Sequence, residues 1–498
     1  MAAPASRVGT VNVTVLACLL AGGLGLAAGA HAEDPPERSV AAKTCLDAAL
    51  SRAARLSACD RAIAEAPAPD TSAVALYMER AALHLSEQDL AAALADYDRV
   101  IAALPGFAQA YNNRALAYGM TGRDRDALTD LDRAVELAPR NADYLFNRGQ
   151  VLRRLGEPAR AIADFDSALD LAPDDASIML QRGNARRDAG ALDAALADYA
   201  RAEQAGADAA RIAYNRGLAL ALAGAYDAAW RSLTAALELR PDHPRAAYNR
   251  GIVESYRGNY AEAVTDLTRH LRIRPGSVDA LYARGLAQAA LGRDEAAEED
   301  FDTVITIQPE RTEAFFQRGL ARLRQDKADA AIVDFFTVLQ RQPDDPEAYL
   351  HRGLAQASRG AHELAIADYS AALERRPEMP RALSARGDSL AARGEWQKAL
   401  ADYRKAVELS PANLATVRRL ALAELETGDP QRALSLLQPA LADAPDNPDL
   451  QLTRATARLR TGDLEGALAD AEAVLAARPL NLQALRLRGA ARKLLGEP

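Results

Sequence analysis

Side chains able to do acid–base, nucleophilic or metal chemistry are few in this chain. Apart from His31 near the N-terminus, histidine occurs only at His84, His243, His270, His351 and His362. No two of them, and no histidine and cysteine, stand at a spacing that would put two ligands on one metal ion. A glycine-rich phosphate loop and a nucleophile elbow are both absent. Aspartate and glutamate are plentiful, but on amphipathic helices a solvated carboxylate is the ordinary state. These residues predict no enzyme, no metal and no cofactor. Cysteine is more informative. Cys18 falls in an apolar N-terminal run, which leaves Cys45 and Cys59 as an even pair. Their separation suits facing positions on two antiparallel helices joined by a short turn, so a disulfide is expected, with two inert buried thiols as the alternative. A redox-active C-x-x-C pair is absent.

A second kind of chemistry is repeated rather than local. Arginine recurs at Arg80, Arg114, Arg148, Arg182, Arg216, Arg250, Arg284, Arg318, Arg352, Arg386 and Arg454, and aspartate recurs sixteen residues later at Asp96, Asp130, Asp164, Asp198, Asp266, Asp300, Asp334, Asp368, Asp402 and Asp470. Where arginine becomes Leu420, the answering residue is Leu436; only Ser232, opposite Arg216, breaks the match from one side. The two columns are therefore expected to touch, as an ion pair within each repeat that fixes register rather than as a ligand site.

The elements that must position these columns come from one period. Proline recurs every 34 residues, at Pro105, Pro139, Pro173, Pro241, Pro275, Pro309, Pro343, Pro377, Pro411, Pro445 and Pro479, and is missing only at Ala207. With the proline at position 32, twelve units run over residues 74–481, followed by a partial unit over 482–498. Position 20 is alanine in all twelve, from Ala93 to Ala467, and position 8 is glycine or alanine throughout. Small side chains at two fixed points predict a close approach of two helices within each unit. Glycine at position 15, as in Gly122 and Gly156, suits a first helix ended by a left-handed residue. Apolar residues then return at helical spacing, as in Ala127, Leu128, Leu131, Ala134 and Val135, until the proline. Each unit is predicted to be two antiparallel helices, and units of this kind bury their apolar faces by stacking.

This pattern of small residue, aromatic or leucine, alanine and proline over 34 residues resembles the tetratricopeptide repeat. "NRGQVLRRLG" and "ARAIADFDSALDLAP" within residues 142–175 carry the resemblance closely. "CDRAIAEAP" from Cys59 echoes "LDRAVELAP" from Leu131, but four residues out of phase. The domain plan is thus a signal peptide over 1–32, a degenerate N-terminal capping hairpin over 33–73, twelve repeats over 74–481 and a C-terminal capping helix over 482–498. The resemblance implies an all-α fold, a right-handed α-solenoid of helix-turn-helix repeats.

The resemblance also implies that positions 2, 5, 6, 9, 12 and 13 of the first helices line a concave face. Position 6 carries Asn113, Asn147, Gln181, Asn215, Asn249 and Gln317, and position 5 carries Phe146, Tyr214, Tyr248, Tyr282 and Phe316. A ladder of amides offers donors and acceptors to the backbone of an extended peptide, and aromatics add contact area at low entropy cost. These eleven residues are the candidate peptide-binding groove; the competing reading is that the amides are simply common at this position and the rings pack between units. Beyond Gln317 the position-6 column changes to His351, Ala385, Arg419 and Thr453, so the last third is expected to bind something else or nothing. Some members of the family clamp a partner's terminal carboxylate. Asn184, Asn215 and Arg245 form a fragment of that pattern, but Leu180 and Asn249 stand where cations are needed.

Composition and the N-terminus bound the rest. A formal charge of −9, from 60 basic and 69 acidic residues, argues against nucleic acid as partner. Arg7, an apolar run over about 13–29 and Ala30-His31-Ala32 read as an export signal cleaved before Glu33; the alternatives are an uncleaved membrane anchor and a lipoprotein signal at Cys18. No membrane insertion of the mature chain is expected. The function expected is a periplasmic protein-protein interaction scaffold that holds an extended segment of an envelope protein. Its rivals are a structural spacer or homo-oligomerising element, and an accessory subunit of a cell-wall or polymer-export enzyme.

Overall fold

A computed structural model of the chain describes residues 39–65 and 73–496. The expected export signal over 1–32 lies outside these residues. Among them there are 27 helices and no strand, an all-α helical-repeat solenoid. None of the described helices is long and apolar enough to cross a membrane. Contacts divide the chain into two compact units, Met1–Val253 and Glu254–Pro498, with the division inside helix Pro244–Tyr256.

In the first unit, helices pair in chain order: Val40–Cys45 with Arg52–Glu65, Val74–Ser86 with Leu90–Ala103, Ala108–Met120 with Asp124–Leu137, Ala142–Arg154 with Pro158–Leu171, Ala176–Asp188 with Leu192–Gln204, and Ala209–Leu222 with Tyr226–Leu239. The second unit continues the alternation, for example Val278–Ala290 with Asp294–Ile307 and Pro448–Thr461 with Leu464–Ala477, to the final helix Leu482–Leu495. Local chemistry sets the ends. The residue before each proline is pushed out of the helical region, as at Leu104 (φ −134°, ψ 81°) and Ala138 (φ −143°, ψ 76°), and the second helix stops there. Where the proline is missing, helix Leu192–Gln204 stops one residue sooner in the repeat and Gly206 turns the chain at φ 86°. Asn141, Asp175, Asp345, Asn447 and Asn481 cap the next first helix by accepting from its free backbone N–H groups.

The core is one motif repeated. All twelve position-20 alanines, from Ala93 to Ala467, are fully buried. Beside them a large side chain four residues on, such as Tyr97, Phe165, Tyr199, Phe301 or Phe335, is buried as completely. Position 8 is small because this ring lies on it: a Cβ at Gly149 would stand 2.7 Å from Phe165, and one at Gly353 2.6 Å from Tyr369. Such a contact admits no methyl group without moving the ring.

The arginine and aspartate columns meet as expected. In at least nine repeats the guanidinium makes a two-pronged bond to its own aspartate; Arg182 gives Nε to Asp198 at 2.9 Å and Nη2 at 2.6 Å, and Arg386 gives 2.7 and 2.8 Å to Asp402. The remaining Nη1 reaches back to the preceding repeat, from Arg114 to Asp98, Arg148 to Asp132, Arg182 to Asp166, Arg318 to Asp302, Arg284 to Thr268 and Arg386 to Ser370. Each of these arginines therefore ties two repeats together. Leu420 and Leu436 share an apolar cluster, and the reason for the exchange is the preceding repeat: Arg404 occupies the place of Asp98 or Asp302 and bonds Glu424 at 2.8 Å. An arginine at 420 would meet a like charge there. Arg216, opposite Ser232, pairs with Glu203 at 3.0 Å instead.

At the N-terminal hairpin Cys45 and Cys59 are joined in a disulfide with Cα atoms 4.7 Å apart, both fully buried. Arg55 gives Nε to the Cys45 carbonyl at 3.3 Å and pairs with Glu79 of the next helix.

Candidate functional site

In the first unit the position-6 amides are held by two kinds of bond. Asn147 donates from Nδ2 to Oδ1 of Asn112 at 2.8 Å, and Asn112 donates to Oδ1 of Asn113 at 3.1 Å. Three amides thus form a relay across two repeats, with Asn112 and Asn113 buried and Asn147 half-buried. Further along, Asn215 and Asn249 each spend Nδ2 on a carbonyl one turn back in their own helices, Arg211 at 2.9 Å and Arg245 at 2.8 Å. Asn249 also donates to the Tyr214 hydroxyl at 3.2 Å. Asn215 accepts from Nη1 of Arg187 at 3.1 Å; Arg187 also holds Asp188 at 2.8 Å, and Arg153 holds the other oxygen of Asp188 at 2.9 Å. Gln181 accepts from Asn184 at 3.3 Å. Bonds to fixed helix carbonyls consume donors and orient the amides. The carbonyl oxygens of Asn147 and Asn249 accept no hydrogen bond among the described residues, so both can take a donor; Asn249 gives both its amide hydrogens, to Arg245 and Tyr214, and Asn147 gives one, to Asn112.

The rings are anchored at one side. Phe146 packs at 5.9 Å on Phe165, and Tyr214 lies 4.6 Å from the His243 ring. Burial raises the Tyr214 pKa; it lowers that of His243, aided by Arg240 and Arg245, so His243 is neutral at pH 7. Phe146, Tyr214 and Tyr248 are all half-buried.

In the second unit Tyr282 packs at 5.7 Å on Phe301, and Phe316 at 5.7 Å on Phe335. Arg311 lies over the Tyr282 ring at 4.4 Å and pairs with Asp279 at 3.0 Å. Gln317, Tyr282 and Phe316 line a shallow pocket of about 290 Å³ with Glu313, Asp345 and Glu347. Past it the column does change character. His351 is buried, its Nδ1 2.9 Å from the Glu347 carbonyl and its ring edge-on to Phe316 at 5.5 Å. A larger hollow of about 420 Å³, lined by Asp166, Leu169, Asp170, Pro173, Arg182 and Arg201, lies away from the candidate face, along the back-reaching arginine bonds.

In the first unit the candidate residues thus form a row of half-buried rings and oriented amides rather than an open ladder of free donors and acceptors, and in the second Tyr282, Phe316 and Gln317 line the shallow pocket. The structure adds three residues that the column reading passed over: Asn112, Arg187 and His243. Asn112 was legible as an amide in a column of rings and Arg187 as a cation at position 12, but their partners sit in other repeats. The carboxylate-clamp fragment does not assemble: Leu180 is in the core, and Asn184 is buried, taking the Tyr199 hydroxyl at 3.0 Å. Among the described residues no group of three or more His, Cys, Asp or Glu side chains could hold a metal ion.

Comparison with known proteins follows the same residues. Two family models, both described as tetratricopeptide repeat, match the chain: one over residues 112–176, 180–244, 226–276, 248–312, 316–377 and 363–413, the other over 390–451 and 424–491. Together they cover most of the chain. No curated protein matches. Among solved structures, that of the APC/C hetero-tetramer Cut9–Hcn1 is 16% identical, covering 86% of this chain and 98% of that one with a TM-score of 0.44. YrrB, described as a TPR protein with an unusual peptide-binding site, is 27% identical over 37% of this chain and 95% of its own, at a TM-score of 0.31. MamA from Desulfovibrio magneticus RS-1 is 24% identical over 34% of this chain and 96% of its own, at 0.33.

Proposed function

The chain belongs to the tetratricopeptide repeat family, whose repeats make protein-protein interaction scaffolds, and from that premise we propose that it is an exported, periplasmic scaffold. In this reading it holds an extended segment of an envelope protein along the first helices of residues 108–256. It does no catalysis of its own. The supporting observation is the state of the amides: Asn147 and Asn249 are oriented by bonds that they donate inside the protein and keep Oδ1 as an acceptor, the group that the backbone N–H of an extended peptide requires. Half-buried Phe146, Tyr214 and Tyr248 supply the neighbouring contact area at little entropy cost. The Cys45–Cys59 disulfide fits an oxidising compartment, and the apolar run before Ala30-His31-Ala32 fits export to one.

The test is crosslinking in intact cells from a photoreactive residue placed at 150, between these amides. The chain is compared with a variant carrying Asn147→Ala, Asn215→Ala, Asn249→Ala and Tyr248→Ala whose helicity is checked by circular dichroism. A partner captured by the first and lost from the folded variant supports the reading. An unchanged partner set moves the contact to the ends or the opposite face and makes the structural spacer the better account.

A further inference from the structure

Three columns of the second helices break their own rule at one place. Positions 19, 22 and 25 are small, polar or charged in eleven repeats each, and the exceptions are Leu364, Val333 and Phe336. Val333 and Phe336 stand one turn apart on helix Ala328–Arg341, 61% and 48% exposed. Leu364, 58% exposed, lies at the start of the next second helix, His362–Arg375. Phe336 has a further consequence. In this unit the position-25 residue takes the third donor of the following arginine: Thr268 from Arg284, Asp302 from Arg318 and Ser370 from Arg386. A phenyl ring takes none. Arg352 grips Asp368 with Nε at 2.8 Å and Nη2 at 2.6 Å, but its Nη1 has no hydrogen-bond partner among the described residues and is open to solvent. Gln356, one turn on, stands in the column from which Arg322 reaches Asp302 at 3.7 Å, so it too lies toward Phe336. It is buried, and its Oε1 has no partner among the described residues.

One exchange in the column thus puts an apolar ring at the surface and opens the polar groups beside it, and the two together say what fits. Arg318 shows that an arginine already held by its own aspartate, Asp334, still takes a second carboxylate at Nη1, that of Asp302. The group missing beside Arg352 is therefore a carboxylate, brought from outside where the column does not supply it. Val333, Phe336 and Leu364 call for apolar side chains around that carboxylate. The exposed acids nearest to them, Asp329 and Glu363, are paired with Arg359 at 2.9 Å and Arg393 at 3.6 Å, which tempers their repulsion of an incoming acid. We infer that the exposed face of helices Ala328–Arg341 and His362–Arg375 is a docking site for an amphipathic helix of a partner protein that carries an aspartate or glutamate within its apolar face. The site uses second helices, and it does not rest on the peptide contact proposed for the first helices.

The probe is a fluorescein-labelled peptide helix with leucine, glutamate and leucine one turn apart on one face and glutamine elsewhere. A side-chain crosslink on its far face holds it helical, because an isolated helix of about 14 residues is marginal in water. Fluorescence anisotropy is followed as the full chain is titrated in. The expected result is saturable binding that Phe336→Asp and Val333→Ser in the protein, and glutamine for glutamate in the peptide, each weaken by about tenfold or more. Phe336→Asp also separates docking from packing. It returns to Arg352 the acceptor that Asp302 is to Arg318, so the urea midpoint should hold or rise while binding is lost. Both substituted residues are exposed, so the variants are expected to fold, and circular dichroism checks it. Absence of saturable binding up to about 1 mM, the weak limit of specific association, overturns the inference. Binding indifferent to Phe336→Asp or to the carboxylate of the peptide does the same. A lowered urea midpoint with binding unchanged would show that the ring serves the fold alone. A dimer of the full chain in sedimentation equilibrium that Phe336→Asp dissolves would make a second copy the occupant and overturns the inference too.

Discussion

Gln88 and Asp326 stand where ten other repeats have glycine, and both adopt left-handed backbone, at φ 63° and 58°. A Cβ in that region crowds the following carbonyl, so each residue costs roughly 1 kcal/mol that glycine would not. Gln88→Gly and Asp326→Gly should each raise the unfolding free energy of their own part of the chain by up to about 1 kcal/mol, read as a higher urea midpoint, the gain being smaller at Asp326 because aspartate tolerates the conformation better. An unchanged or lowered midpoint would mean that the turn is held by something other than its backbone. Glu298 offers a test in pH. Burial acts to raise its pKa, but bonds from Lys327, Arg322 and Gln325 outweigh burial and bring it from 4.5 to about 2. A depressed pKa means that the folded state prefers the carboxylate, so this contribution is complete above pH 4.5 and fades as pH falls toward about 2. Glu298→Gln should therefore flatten the pH dependence of urea unfolding in that window and leave its slope near neutrality unchanged.

A helix pair is held by three fixed contacts: buried alanine, a ring on a glycine, and the arginine that spans the pair and reaches the pair before it. The last of these differs most from a surface ion pair. Asp198 is 1% exposed and takes bonds from both Arg182 and Arg186, so Asp198→Ala leaves two guanidinium groups without their carboxylate. Removing one side of a buried pair costs about 3–5 kcal/mol, whereas removing both leaves less uncompensated charge. The double variant Arg182→Ala with Asp198→Ala should consequently be less destabilised than the sum of the two single variants, by roughly 0.5–3 kcal/mol in a double-mutant cycle. Strict additivity would show that the two side chains stabilise the fold independently. Leu420 and Leu436 make the same point in reverse, because the repeat keeps its place with an apolar contact once Arg404 turns to Glu424.

In a stacked array each repeat meets only its neighbours, so a change at one end is felt locally. The disulfide closes a loop of sequence separation 14 in the first hairpin, a length for which chain entropy gives about 3 kcal/mol. Reduction, or Cys45→Ser with Cys59→Ser, should lower hydrogen-exchange protection in Arg52–Glu65 and leave helices beyond Leu90–Ala103 unchanged. Protection lost through the whole first unit would mean that the hairpin nucleates the array.

The period, the helix ends, the small residues and the meeting of arginine with aspartate could all be read from the chain. Each is a constraint inside one repeat, and repetition displays it many times over: proline at position 32 stops a helix wherever it stands, and Ala93 or Gly149 is small because its own second helix crosses there. What one repeat does to the next could not be read this way. The third donor of Arg182 reaching Asp166, the relay from Asn147 through Asn112 to Asn113 and the Arg187 bond to Asn215 depend on how one pair lies on another. That offset is set by side-chain packing between helices far apart in sequence, and a column of residue types records who is present without recording who is adjacent.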